Sequence, residues 1–214
     1  MIKSDLPLSW TNISLNEYME LQNLLLENEE GLSEEDLIMQ EIQLLYGKNP
    51  YIMTMSEFKK SIEGLKFMQK EMPKMKVKDC YNLNGNIYYL HKSLSEFKMG
   101  QYIDYERILK SKKGVDVYAD FIALFLTPNK DDSYGDGYDV TTVIKEIKQY
   151  MSIADATSIA TFFLHLSKAY TVRFLWYSMH KATKNLKDRK TKRDLRKKTK
   201  QLIKMIIAGE PHHY

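Results

Sequence analysis

The sequence has one cysteine, few glycines and prolines, and no long apolar run. The single Cys80 excludes an intramolecular disulfide, and the first residues lack the apolar run of a secretion signal, so a reducing cytosol is expected. Glycine and proline make up only 14 of 214 residues, which excludes a fibrous or low-complexity chain. The most apolar window, residues 153–179, is interrupted by charged side chains, which predicts a buried helix there and not a membrane span.

Recognisable catalytic and nucleotide-binding motifs are also absent from the sequence. It contains no Gly-x-Ser-x-Gly, no Walker A and no Gly-x-Gly-x-x-Gly motif. The five histidines lack the spacing of zinc ligands. The acidic loop at residues 131–139 has some ingredients of a calcium loop, but Thr142 stands where the pattern requires glutamate, so a solvated loop is predicted. The sequence therefore predicts a protein that is not an enzyme and that needs no cofactor or metal.

The distribution of charge is more informative than the net charge of +4. Residues 181–204 hold 12 lysines and arginines against two aspartates, a local charge of +10. Residues 1–180 hold 20 lysines and arginines against 25 aspartates and glutamates, a local charge of −5. We therefore predict two parts, an acidic body (1–180) and a basic C-terminal arm (181–214).

The basic arm has a field that attracts phosphates or acidic proteins. It lacks aromatic side chains for base stacking, so nucleic-acid binding would be directed at the backbone and blind to sequence. A solvated helix face and an acidic protein partner are together favoured over nucleic acid. The cations concerned are Lys187, Arg189, Lys190, Lys192, Arg193, Arg196, Lys197, Lys198 and Lys200. The arm ends in an apolar foot, a second candidate for partner binding, formed by Leu202, Ile203, Ile206 and Ile207.

Helical periodicity and capping signals run through most of the body. Capping boxes at Ser14 and Thr54 and an acidic helix start after Ser33 predict three helices, the third ending near Pro73. Asn84-Gly85, flanked by β-favouring aromatics, predicts a two-stranded hairpin within residues 76–91. Further helices are predicted from about residue 94, at 117–126 and at 140–150. The fold class is therefore mainly α: a multi-helix globular domain with one small β-hairpin and a basic C-terminal helical arm.

A long helix from Ile153 to about Thr183 is predicted to be the core helix. No soluble monomer is expected to expose all of its large apolar side chains, and extensive exposure would indicate a partner-binding face. His165 is interpreted as a hydrogen-bonded core or interface residue. The side chains predicted to be largely buried are Phe162, Phe163, Leu166, Phe174 and Leu175.

Several short phrases, taken in order, resemble a known group of proteins. They are Trp10-x-x-Ile13, the Asn84-Gly85 hairpin, Met99-Gly-Gln-Tyr-Ile-Asp104, Leu126-Thr-Pro128, the loop ending at Asp139 and Phe162-Phe163. Together they resemble small proteins encoded among the tail and head genes of tailed phages of Bacteroidetes hosts, which are described as tail assembly chaperone-like. The resemblance covers about residues 9–177, and the basic arm lies outside it.

This resemblance implies a non-enzymatic role in phage morphogenesis, and it transfers no catalytic residue. The first hypothesis is an assembly protein that binds other phage proteins in the host cytoplasm through exposed apolar helix faces. The alternative is a virion structural or packaged protein of the head-tail region, whose basic arm contacts nucleic acid or acidic proteins. A homo-oligomer is compatible with both hypotheses, and no membrane partner is expected. An enzyme with an unrecognised site is the least favoured class.

Overall fold

A computed structural model describes residues 7–27, 33–93, 97–111, 115, 117–184 and 188–208 of the chain. Within them the mainly α fold is confirmed, with eight α-helices and one antiparallel sheet of three strands. The helices are α1 (Leu15–Glu27), α2 (Glu34–Tyr46), α3 (Met55–Leu65), α4 (Met99–Ser111), α5 (Val117–Ala123), α6 (Val140–Tyr150), α7 (Ile153–Lys184) and α8 (Arg189–Ala208). The strands are β1 (Cys80–Leu83), β2 (Asn86–Leu90) and β3 (Leu126–Thr127).

The chain divides into two compact units, residues 1–160 and residues 161–214, which are described separately. Helix α7 begins in the first unit and continues through the second. The division predicted from charge, after residue 180, marks the change from acidic to basic sequence and stays a prediction. In the described part of the chain, no helix combines the length and the apolar character that a bilayer crossing requires.

The first three helices begin where the capping signals predicted. The Ser14 amide donates to Glu17 Oε2 at 2.8 Å, and the Glu17 amide donates back to Ser14 Oγ at 3.2 Å. Thr54 and Glu57 form the same reciprocal capping box, and Ser33 Oγ accepts from the Asp36 amide at 3.1 Å. These contacts satisfy amides that a helix start would otherwise leave unpaired. Helix α3 ends at Leu65, before the predicted end near Pro73, and passes into a 3₁₀ turn at Lys66–Gln69.

The predicted hairpin is confirmed. Strands β1 and β2 pair in antiparallel register, with Tyr81 opposite Tyr88, around a turn at Asn84 and Gly85. Both turn residues have positive φ, 54° and 88°, as a type I′ turn requires. This backbone conformation strains most residues, and asparagine and glycine tolerate it best.

The third strand was not predicted. The sequence predicted one helix over residues 117–126. In the structure α5 ends at Ala123, and β3 pairs with β2 so that Leu126 lies opposite Leu90. The His91 amide also donates to the Phe125 carbonyl at 2.9 Å. The physical reason is that backbone groups on the free side of β2 need partners, and a two-stranded hairpin alone is only marginally stable.

The core of the first unit lies where α1, α5 and α6 meet. Ile122, Val143 and Ile147 are buried between α5 and α6, and Leu15 and Ile13 are completely buried at the start of α1. A short antiparallel bridge joins this start to the α6–α7 connection, because the Leu15 amide donates to the Met151 carbonyl at 2.9 Å. Ile153 N donates to the Ile13 carbonyl at the same distance.

A buried carboxylate ties the segment before the hairpin to the start of α7. Lys78 Nζ lies 3.3 Å from both carboxylate oxygens of Asp155, whose side chain is largely buried. The Asp155 amide donates to Ser152 Oγ, so the same residue belongs to the cap of α7. The Met75 amide donates to Ser158 Oγ at 2.9 Å. These contacts hold residues 75–78 against α7 without regular secondary structure.

Candidate functional site

The basic arm folds into helix α8, whose start is fixed by a negatively charged cap. Asp188 accepts hydrogen bonds from the Lys190 amide at 3.1 Å, from the Thr191 amide at 2.9 Å and from the Thr191 hydroxyl. These bonds, the Thr191 hydroxyl first, hold the pKa of the Asp188 carboxyl below its usual range. A carboxylate at this position also interacts favourably with the helix dipole. The arm was predicted to be helical, and its helix starts at Arg189.

Six cations of α8 lie along one side of the helix, which we call the basic face. They recur at intervals of three or four residues, so they share a side of an α-helix, and all six are exposed. The face comprises Arg189, Arg193, Arg196, Lys197, Lys200 and Lys204. A shallow groove runs along this side and is lined by basic residues alone, namely Arg189, Lys192, Arg193, Arg196, Lys197 and Lys200.

The other cations predicted for binding flank this face, as Lys190 and Lys192 do, lie on the far side of the helix, as Lys198 does, or fall outside the described chain. Lys190 and Lys198 are exposed, whereas Lys192 is half-buried. Lys187 lies outside the described residues. Within the described part of residues 161–208, the only carboxylates are Asp188, which caps the helix, and Asp194, and neither forms an ion pair with the basic face. Among the described residues of the second unit, therefore, no ion pair offsets the positive charge of the basic face.

The apolar foot is divided between buried and exposed positions. Ile203 is 7% exposed, and Leu202 and Ile206 are half-buried. Ile207 is 65% exposed, although it lies one turn after Ile203 on the same side of the helix. The foot therefore supplies Ile203 to the interior of the second unit, and only Ile207 is fully available at the surface.

Helix α7 carries large apolar side chains that are not covered. Phe163 is 1% exposed, whereas Phe174 is 68% exposed and Tyr177 is 66% exposed. The prediction that Phe174 is buried is therefore wrong. It is confirmed for Phe163, while Phe162, Leu166 and Leu175 are only half-buried. His165, interpreted as a core or interface residue, is exposed.

Phe174 and Tyr177 form one surface, the aromatic face of α7. They lie one turn apart, three and four turns after Phe163, so all three side chains project from the same side of the helix. Met179 and Thr183, on the other side, are buried. Near its C-terminal end, helix α7 is thus covered on one side and exposed on the aromatic side.

The first unit exposes a second apolar surface, on α4. Met99, Tyr102 and Ile103 are each more than half exposed, and their spacing places them side by side on the helix. We call this surface the apolar stripe of α4. An ion pair between Arg107 and Asp104, at 2.6 Å, lies one turn further along the helix.

Sequence reasoning missed a polar cleft between the sheet, the start of α4 and the acidic loop. Among the side chains lining it are His91, Lys98, Gln101 and Ser133, and its volume is about 380 Å³. The Thr127 hydroxyl donates to the Asn129 carbonyl at 2.7 Å, so it must accept the 2.7 Å hydrogen bond from His91 Nε2, which therefore carries a hydrogen. No local pattern signals this cleft, because its residues are far apart in the sequence.

In the cleft, Lys98 does not activate Ser133 as a nucleophile. Lys98 Nζ donates to Ser133 Oγ at 2.6 Å, but Lys98 is exposed, and an ammonium group that donates cannot take the proton of the serine. The acidic loop is held in place by its own tyrosine, because Tyr134 donates to Asp104 at 2.8 Å. Burial, reinforced by this bond, raises the pKa of Tyr134 well above its usual value. Among the described residues, no cluster of three or more histidine, cysteine or acidic side chains could hold a metal.

Comparison of the chain with protein-family models, with curated proteins and with solved structures found no match. The functional assignment therefore depends on the surfaces of the chain itself. The aromatic face of α7, the apolar stripe of α4 and the basic face of α8 are surfaces suited to binding macromolecules, and each is built on a regular helix.

Proposed function

We propose that this protein is a non-enzymatic phage morphogenesis protein that binds other phage proteins during tail or particle assembly, in the manner of an assembly chaperone. The observation that carries the proposal is the exposure of Phe174 and Tyr177 on one side of α7. A phenyl or phenol ring removes ~150 to 250 Å² from water when it is buried. Covering both rings would therefore contribute on the order of 5 kcal/mol before the costs of ordering are subtracted.

The partner expected at the aromatic face is an apolar helix or groove of a tail protein. A regular helix presents such anchors without having to fold on binding, which favours the helix-in-groove mode. Lys181 and Lys184 are exposed, one and two turns beyond Tyr177, and add positive charge at the end of the same face. The apolar stripe of α4 supplies a second anchor in the first unit. The resemblance to tail assembly chaperone-like proteins, which covers residues 9–177, supports this proposal.

The experiment is co-expression with the products of the neighbouring genes, beginning with any tape-measure protein among them. We expect the wild-type chain to co-purify with one of them and to raise its soluble yield. The double substitution Phe174→Ser and Tyr177→Ser should abolish both effects, because it removes the apolar anchors. The control is a variant with two substitutions at exposed polar residues of the first unit, Ser56→Ala and Gln149→Ala. Equal co-purification of the wild type and the Phe174/Tyr177 variant would contradict the proposal.

A virion structural or packaged protein is the second candidate, and the basic face of α8 is the observation that favours it. The two roles differ in whether the protein is present in the mature particle. Mass spectrometry of purified particles should find a defined copy number if the protein is structural, and no stoichiometric amount if it acts only during assembly.

A further inference from the structure

We infer that the basic face of α8 is a binding site for the phosphate backbone of duplex nucleic acid. The inference does not depend on the proposed protein-binding function, since it uses a different helix and different side chains. It also departs from the expectation that the arm is a solvated face or binds an acidic protein. Three observations favour a phosphate backbone: the regular spacing of the cations, their chemical identity and the side of the helix that is covered.

The spacing of the basic face matches a polymer with regular charge. From Arg189 to Lys204 the helix advances by about 22 Å, at ~1.5 Å per residue. One strand of a duplex carries a phosphate about every 3.4 Å of axis, so about six phosphates face a helix segment of this length. The basic face presents six cations over the same distance.

The identity of the cations also favours phosphate. The chain has only five arginines, and three of them, Arg189, Arg193 and Arg196, lie in a row on this face. The planar guanidinium group donates two parallel hydrogen bonds to a phosphate, and it is less strongly hydrated than an ammonium group. Lysine would suffice for a solvated helix face, and it dominates elsewhere in the chain.

The cations of α8 also repel each other, and those in its first turn are repelled by the positive end of the helix dipole. Within the basic face, four like-charge pairs stand four residues apart, as in Arg189 with Arg193, and each destabilises a helix by about 0.2–0.5 kcal/mol. Arg189 and Lys190 stand in the first turn, next to the positive end of the dipole. The cap at Asp188 offsets part of the second repulsion, and a bound polyanion would relieve both along the whole face.

A membrane surface fits this helix less well than a duplex does. An amphipathic helix that lies on a membrane inserts its apolar side into the lipid. In α8 that side is already covered, because Ile203 is buried and Leu195, Leu202 and Ile206 are half-buried. The side left free is the charged one. Single-strand binding would also require stacking side chains, and α8 has no aromatic residue.

The test is a salt titration of the full chain on a labelled duplex of about 20 base pairs, followed by fluorescence anisotropy. With six contacts, the affinity should fall by about 10³-fold between 50 and 200 mM salt. The substitutions Arg189→Gln, Arg193→Gln and Arg196→Gln should reduce this fall to about 40-fold, because three phosphate contacts are lost. Two duplexes of unrelated sequence should bind with the same affinity, since the contacts do not reach the bases.

The control variant removes the same number of positive charges, but from positions outside α8. Lys59→Gln, Lys60→Gln and Lys145→Gln, all exposed in the first unit, should retain the wild-type salt dependence. A second variant on the basic face, Lys197→Gln, Lys200→Gln and Lys204→Gln, should lose as much as the arginine variant. It keeps the test valid if the arginine variant does not fold, which circular dichroism would reveal.

Three results would overturn the inference. The first is no duplex binding by the wild-type chain at low salt. The second is a basic-face variant that folds and keeps the wild-type salt dependence. The third is tighter binding to polyglutamate, or to vesicles of equal parts phosphatidylcholine and phosphatidylserine, than to the duplex at the same salt. Loss of tail-protein binding in the Phe174/Tyr177 variant, with duplex binding intact, would show that the two proposals are independent.

Discussion

Phe163 and Phe174 are both phenylalanines on the same side of α7, yet Phe163 is buried and Phe174 is exposed. Phe163 is enclosed and makes an edge-to-face contact with Phe162, at 5.1 Å between ring centroids. Phe174, three turns later, faces solvent. Both rings were predicted to be buried, because helical spacing identifies large apolar side chains but does not show how far along α7 they are covered.

This contrast gives a prediction about stability. Phe163→Ala should destabilise the protein by about 3–5 kcal/mol, because it removes a buried ring and leaves a cavity. Phe174→Ala should change stability by no more than about 0.5 kcal/mol, because little of that ring is buried. Chemical denaturation followed by circular dichroism measures both values. Equal losses from the two substitutions would show that Phe174 is covered within the chain.

Two tyrosines of the hairpin give a prediction about pH. Burial raises the pKa of Tyr81 to about 12. Burial, followed by the hydrogen bond that Tyr88 donates to Glu146, raises the pKa of Tyr88 to about 12. The unfolded chain releases these protons near the ordinary value of 10.0, before the folded chain does. Their contribution to stability is therefore complete below pH 10 and is lost between pH 10 and about 12.

The measurement is urea unfolding at about pH 9 and about pH 11. The loss of stability between the two values should be smaller in Tyr81→Phe and in Tyr88→Phe than in the wild type, since each removes one group that titrates differently in the two states. Tyr51→Phe, at an exposed position, should keep the wild-type loss. The account of these tyrosines is wrong if all four proteins lose the same amount.

At the scale of elements, two glycines make a matched test of backbone geometry. Gly85 has φ of +88° in the hairpin turn, whereas Gly100 lies in the first turn of α4 with open space around it. Gly85→Ala should destabilise the protein by about 1–2 kcal/mol, because an L side chain is strained in the left-handed region. Gly100→Ala should stabilise it by up to about 1 kcal/mol, because alanine is the better helix former. Thermal unfolding of both variants measures the two signs, and a shift in the same direction would contradict this geometry.

Most elements could be predicted because their signals are local. The caps at Ser14, Ser33 and Thr54 and the turn at Asn84-Gly85 each depend on residues within four positions of one another. Strand β3 could not be predicted, because residues 124–127 are apolar in a way that suits a buried helix or a buried strand equally. Its pairing with β2 is a long-range event that ends α5 at Ala123.

The candidate surfaces divide in the same way. The sequence analysis identified the basic arm and five of the six cations of the basic face, but it omitted Lys204 and did not separate the face from the other cations of the arm. The apolar foot was predicted as one surface, but burial separates Ile203 from Ile207. The polar cleft around His91 and Ser133 requires the sheet, α4 and the acidic loop to come together, and no local pattern contains that information.

At the scale of the whole molecule, the chain consists of two units with different surface chemistry. The first unit holds the sheet, the main apolar core and the stripe of α4. The second presents an aromatic face on α7 and a basic face on α8. We expect these faces to act on different partners, an apolar surface of a phage protein for α7 and a phosphate backbone for α8. Substitutions on one face should therefore leave binding at the other unchanged.

The central claim is that the aromatic face of α7 contacts another phage protein during assembly. Site-specific photocrosslinking in infected cells tests it most directly, with benzoylphenylalanine placed at Phe174 or Tyr177 and, as a control, at the exposed Gln149. We predict a covalent adduct with one tail protein from positions 174 and 177 and none from position 149. Adducts that are equally frequent from all three positions, or no adduct from positions 174 and 177 during a productive infection, would contradict the claim.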